Sequence, residues 1–222
     1  MHPGGIGLTS PLHTTLSRRT ALRGLGVIGL AAAVGQFATS QAHAASDLVV
    51  IDQKGTGRWG PENCGPTSAV IALVAAGRRV EHYVSGAEGS ARGGNARAVQ
   101  EMRARCGLSP WGDPTIKTVD YTGAYLGDLE TGIRDTDGTA TRALYEEGLE
   151  AAAHGSVVIL HVHHGRLLGE DADYGHFVVA QGEDAGGNIL VSDPGRAQRI
   201  GITGYSHDHL LQARQGDSTI VS

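Results

Sequence analysis

The chain has 222 residues, with 18 Lys and Arg against 23 Asp and Glu, a formal net charge of −5 with His neutral. That balance argues against nucleic acid or an anionic membrane as a partner, since both call for basic patches. The length suits one domain with a full hydrophobic core, at roughly 100–200 residues per domain.

The first segment reads as a leader. Ser17-Arg18-Arg19-Thr20-Ala21-Leu22-Arg23 precedes the apolar stretch Gly24 to Phe37, and Ala42-His43-Ala44 follows as a small-residue cleavage site. Charged, apolar, cleavable is the order of an export signal, and the paired arginines resemble the twin-arginine type. Ala21 stands where that type usually carries a bulky apolar residue. The apolar stretch falls short of the roughly 20 residues of a spanning helix. The expected organisation is therefore an export signal over 1–44, cleaved after Ala44, and one domain over 45–222. The mature protein is expected to be secreted and away from the membrane. Losing Arg18, Arg19 and Arg23 leaves 15 positive against 23 negative charges, a net −8.

Along the mature chain, Leu48 to Ile51 reads as a short strand, followed by a Gly-rich loop carrying Trp59. Pro66 to Ala76 is an apolar helix: Pro suits a first helical position, and Gly77 supplies the stop. Asn95 can cap a second helix over 96–106, with Val99, Met102 and Cys106 at helical spacing. Residues 107–137 read as a long connection, with Trp111, Tyr121 and Tyr125 as a substrate-facing wall. Thr139 to His154 reads as a third helix with Ala140, Leu144 and Leu149 on its buried stripe, ended by Gly155. Four strands follow: Ser156 to His163, His176 to Gln181, Asn188 to Ser192 and Arg199 to Thr203. Helices first and an antiparallel sheet afterwards is the α+β pattern.

The chemistry concentrates at Cys64, in Glu62-Asn63-Cys64-Gly65-Pro66-Thr67-Ser68. A thiol where a loop becomes a helix meets the first-turn amides and the positive end of the helix dipole, which favour thiolate over thiol. The only other cysteine is Cys106, in Arg105-Cys106-Gly107. An exported chain permits one bridge between the two. Against it, a domain this large builds its own core, which favours a free Cys64 and a packed Cys106.

A cysteine nucleophile needs a base, usually His, and a group that orients the base. His176 opens Phe177-Val178-Val179-Ala180-Gln181, and Asn188-Ile189-Leu190-Val191-Ser192-Asp193-Pro194-Gly195 follows the turn Glu183 to Gly187. In a hairpin about Ala185, facing positions sum to about 370, which brings Asp193 within immediate or diagonal reach of His176, about 4.5–8 Å between Cβ atoms. An Asp there accepts the imidazole N–H and sets its tautomer.

Cys64-Gly65-Pro66-Thr67-Ser68, Gly175-His176-Phe177-Val178-Val179 and Ser192-Asp193-Pro194-Gly195 together resemble the papain-like cysteine peptidases related to bacteriocin-leader peptidases. The resemblance runs from about Val49 to Thr203 in the same element order. It implies a papain-like fold and hydrolysis of peptide, isopeptide or other amide bonds through an acyl-enzyme. Cys64 is then the nucleophile, His176 the general base and Asp193 its orienter, with no cofactor and a peptide or protein as partner. The family also places a Gln ahead of the Cys as an oxyanion-hole donor. Gln53, eleven residues upstream, fills that place or is a solvated loop residue.

Two other readings stand beside it. His161 and His163 share a strand face and could hold a metal with Asp173 or His176, as in a metallohydrolase. No His-Glu-x-x-His, Cys-x-x-Cys or Gly-rich phosphate loop accompanies them. The second is a peptidase-like binding module without activity. His207 and His209 read as a surface turn.

Overall fold

An antiparallel sheet of six strands organises the domain. The computed structural model describes residues 48–108, 123–197 and 201–222. These lie in the second of the two units into which the chain divides, Ala38–Ser222. The expected export signal, the cleavage position at Ala44, Trp111, Tyr121 and Arg199 lie outside the described residues.

The elements in chain order are α1 (Cys64–Ala75), α2 (Gly86–Ser90), α3 (Ala96–Arg105), α4 (Leu126–Arg134), β1 (Ala140–Ala143), α5 (Tyr145–Ala153), β2 (Val157–His163), α6 (His164–Leu168), β3 (Gly175–Glu183), β4 (Ile189–Ser192), β5 (Ile202–Tyr205), α7 (His207–Gln212) and β6 (Arg214–Val221). The sheet order is β1-β6-β2-β3-β4-β5, every pair antiparallel. Among the described residues no helix is long and apolar enough to cross a membrane.

Side-chain alternation divides the core between the two sheet faces. Val157 and Ile159 of β2, with Phe177 and Val179 of β3, join the cluster of α1, α3 and α4. Val158, Leu160 and Val162, with Val178 and Ala180, join the cluster of α5 and α7. Each buried methylene contributes about 0.8 kcal/mol, so these two strands, apolar on both faces, anchor the domain. The helix α1 is buried on nearly every side, which is why its sequence is apolar all round.

Three glycine stops close helices in the same way. The Gly77 and Arg78 N–H groups donate to Val74 and Leu73, those of Gly107 and Leu108 to Ala104 and Arg103, and those of Gly155 and Ser156 to Ala152 and Ala151. All three glycines have φ between 70° and 86°, the left-handed residue that this paired closure needs.

Several sequence expectations are corrected. Residues 48–51 form no strand; the Val49 N–H donates to Gln181 Oε1, and Gln181 Nε2 donates back to the Val49 carbonyl, both at 2.8 Å. A side-chain amide here takes the place of a ladder. The expected helix 139–154 is a strand and then a helix. Ala140 to Ala143 pair with Ser218 to Val221 of β6, and Leu144, placed on the buried stripe, is exposed. Its N–H donates to Glu147 Oε2 at 3.0 Å, which starts α5 there. The connection 107–137 contains α4, begun by the Tyr125 N–H donating to Asp128 Oδ2 at 2.8 Å. His207 and His209 lie in α7 and not in a turn. Asn95 stands at the start of α3 without capping it; its side chain instead bonds Val84 and Gly89.

Candidate active site

Cys64 is the first residue of α1, where backbone N–H groups have no partner within the helix. The seat of that helix end is set by three contacts. Ser68 is one turn on from Cys64 and shares its face; its Oγ donates to the Phe177 carbonyl at 3.1 Å. Phe177 is next to His176, so this bond fixes the thiol beside the imidazole. Gly65 allows the approach: a Cβ there would stand 2.8 Å from Ala124 Cβ and 3.0 Å from Leu129 Cδ2. Ahead of the helix, Asn63 Oδ1 accepts from Arg103 Nη1 at 2.9 Å, and Asn63 Nδ2 donates to Thr56 Oγ1 at 2.9 Å. Arg103 is buried and also lies over the Trp59 ring, 5.5 Å from its centroid.

The base comes from the sheet. The β3–β4 register pairs Val179 with Ser192 and Ala180 with Val191, one position from the predicted count. His176 Nε2 then lies 2.7 Å from Asp193 Oδ1, and the same oxygen accepts the Gly195 N–H at 2.8 Å. With Nε2 on the carboxylate, the other ring nitrogen is left for the thiol, with which His176 shares a hydrogen bond. Cys64, His176 and Asp193 form one line.

Their ionisation follows from these contacts. Burial pushes the Cys64 thiol up, but the hydrogen bond and charge of His176 and the N–H groups of Phe177 and Gly65 outweigh it and hold the thiol below its usual 9.0. Burial pushes His176 down, yet its bonds to Asp193 and Cys64 carry it up to about 10. Burial likewise raises Asp193, and the His176 bond and charge reverse this to a net lowering. All three shifts run toward the charged forms: thiolate, imidazolium and carboxylate.

Gln53 is buried, which removes its reading as a solvated loop residue. Its backbone N–H donates to the Pro194 carbonyl at 3.0 Å, and its Nε2 donates to the Pro61 carbonyl at 2.8 Å. It lines the same cleft of about 790 Å³ as Cys64 and His176. Tyr125 and Tyr174, respectively 66% and 53% exposed, line it too. Lys54 and Arg196 against Glu62 and Glu170 balance its charge.

Both cysteines are free. Cys106 packs where a Cβ on Gly132 would stand 2.6 Å from its sulfur, and burial pushes its thiol up to about 12. The metal pair of the alternative reading is not assembled among the described residues. His161 stacks on Phe177 with centroids 4.7 Å apart, and His163 turns to Asp173 at 3.1 Å. Neither belongs to any group of three potential ligands among the described residues. His161 sits in a slot made by glycines: a Cβ on Gly175 or Gly216 would lie 2.6 or 2.5 Å from its ring nitrogens.

His164 was missed. It follows the expected strand Ser156 to His163, begins α6, is 7% exposed, stacks on Tyr174 and meets His176 edge-on with centroids 5.0 Å apart. The β2–β3 register pairs His163 with Gly175, so the next residue on each side of the hairpin, 164 and 174, must be neighbours. That count was available from the sequence. No model of a known protein family matches the chain, and no curated protein matches it in sequence.

Proposed function

We propose that the chain is an exported, papain-like cysteine peptidase that hydrolyses peptide or related amide bonds. The observation that carries this reading is the line Cys64–His176–Asp193, with the thiol on a helix N-terminus and the imidazole 2.7 Å from a buried carboxylate. Nothing in a packed core requires such a line at the wall of a cleft. Its cost in desolvated charge is offset only where a thiolate is wanted.

In the proposed reaction the Cys64 thiolate attacks the substrate carbonyl carbon. Negative charge moves to the carbonyl oxygen, which the Cys64 backbone N–H and the Gln53 side-chain amide stabilise. An amide has two N–H donors, and one of Gln53 is on Pro61. His176 gives its proton to the leaving amine, the C–N bond breaks and an acyl-enzyme remains. His176 then takes a proton from water, whose oxygen attacks the thioester; the C–S bond breaks, releasing the acid and the Cys64 thiolate and leaving the proton on His176. Asp193 holds the imidazole in the right tautomer throughout. Tyr125 and Tyr174 offer aromatic faces to an extended substrate.

Hydrolysis of a mixed peptide library by wild type, Cys64→Ser and Gln53→Ala tests the reading. Cys64→Ser is expected to abolish hydrolysis. Gln53→Ala is expected to lower kcat about 10²–10³-fold, the cost of one oxyanion donor. Hydrolysis undiminished in Cys64→Ser overturns the proposal.

A further inference from the structure

Behind the thiol, three buried groups converge. His164, His176 and Asp193 each offer one ligand atom, and these three atoms lie within 4.8 Å of one another. Cys64 is outside the group. Asp193 Oδ1 is taken by His176 and Gly195. Asp193 Oδ2 and His164 Nδ1 are both buried and without a hydrogen-bond partner, although the residues are only 6% and 7% exposed. Leaving one such atom unanswered costs about 1–3 kcal/mol. Two in one cluster, an acceptor oxygen and an imidazole nitrogen, describe a place that takes a ligand common to both.

No hydrogen bond joins the two atoms, and no other protein group answers either. A cation answers both, because a carboxylate oxygen and a neutral imidazole nitrogen are each donors of an electron pair. Two imidazoles and one carboxylate are a zinc ligand set, with a fourth position left to water or another donor. We propose that His164, His176 and Asp193 bind a divalent zinc-like cation, and that its binding switches the thiol site off.

The cation takes the place of the proton on His176 Nε2, and that proton leaves to solvent. Metal–nitrogen and metal–oxygen distances of about 2.0–2.2 Å in tetrahedral geometry set two ligand atoms about 3.3–3.6 Å apart, so the 2.7 Å His176–Asp193 contact opens as the proton between them is replaced. With Nε2 held by metal, the imidazole no longer shuttles a proton between thiol, leaving amine and water under the control of Asp193. The binding itself stands on the geometry alone. Its effect on turnover rests on the peptidase reading above.

Zinc titration of metal-stripped wild type, Cys64→Ser and His164→Gln by calorimetry and equilibrium dialysis tests the site. One Zn²⁺ per chain is expected in wild type, with equal affinity in Cys64→Ser. His164→Gln should weaken binding by about 100-fold, at least the loss seen on removing an outer-shell partner. The thermal midpoint of wild type and of Cys64→Ser should rise with Zn²⁺, a readout that holds even if His164→Gln folds poorly. Zinc should also stop peptide hydrolysis by the wild type. Absence of stoichiometric uptake by wild type and Cys64→Ser overturns the site. Uptake lost in Cys64→Ser but kept in a folded His164→Gln places the metal on the thiol and also overturns it. A rate that rises with Zn²⁺ overturns the inhibitory role. Hydrolysis that survives Cys64→Ser rejects the peptidase reading and leaves the metal site standing.

Discussion

At the scale of single residues, the imidazole of His176 has one nitrogen on a carboxylate and the other facing sulfur, and its charge sets the state of both neighbours. The His176 hydrogen bond and charge draw the thiol below its ordinary range. Iodoacetamide labelling of Cys64 against pH should therefore show its inflection below 9.0, and His176→Ala should move that inflection upward. Labelling with an inflection unchanged by His176→Ala contradicts the coupling. Asp193→Ala should lower kcat about 10⁴-fold with the fold retained, the loss seen when the orienting carboxylate of a triad is neutralised. These three residues were legible because each carries a local signal: a helix start for Cys64, and a hairpin count for His176 and Asp193. Gln53 was readable only through a resemblance, since a buried amide in a loop leaves no periodic trace. Arg103 left no trace either. A charged residue on a helix reads as solvated until a distant Asn63 and Trp59 are known to cover it.

At the scale of elements, the site is a contact between the start of α1 and the start of β3. Ser68 and Gly65 hold that contact, one by a hydrogen bond and the other by the absence of a side chain. Gly65→Val should force α1 away from Ala124 and Leu129, lowering both activity and stability. Overpacking of this kind costs about 1–3 kcal/mol, measurable by denaturant unfolding. Arg103→Met should cost a similar amount, about 1–3 kcal/mol, by leaving the buried Asn63 oxygen unpaired. A midpoint unchanged in both variants contradicts the account of how the helix end is seated. Element identity was legible where the partner is near in sequence or the stop is a glycine, as with α1, α3, β2 and β3. It failed for β1 and β6. Ala140 to Ala143 pair with residues almost eighty positions away, and a four-residue strand has too little pattern of its own to outweigh an adjoining helical stripe.

At the scale of the whole molecule, the two half-cores lie on opposite faces of β2, β3 and β6, and the charged line stands at the start of β3. Stability should therefore follow the ionisation of that line. Asp193 is depressed in the folded state, so its contribution is present above its unfolded value and lost as pH falls through the lower folded one. His176 is raised, so its contribution is present below its unfolded value and lost as pH rises through about 10. The thermal midpoint should fall at both ends, and Asp193→Asn should blunt both falls. If export proceeds as the N-terminal pattern indicates, the secreted protein should begin at Ala45, which intact mass reads directly.

The central claim is that Cys64 carries the substrate's acyl group. Rapid acid quenching during turnover of an activated peptide ester, followed by intact mass and peptide mapping, reads this directly. The account predicts a single acyl adduct on the peptide containing Cys64, absent in Cys64→Ser. Turnover with no adduct, or an adduct on Cys106, would contradict it.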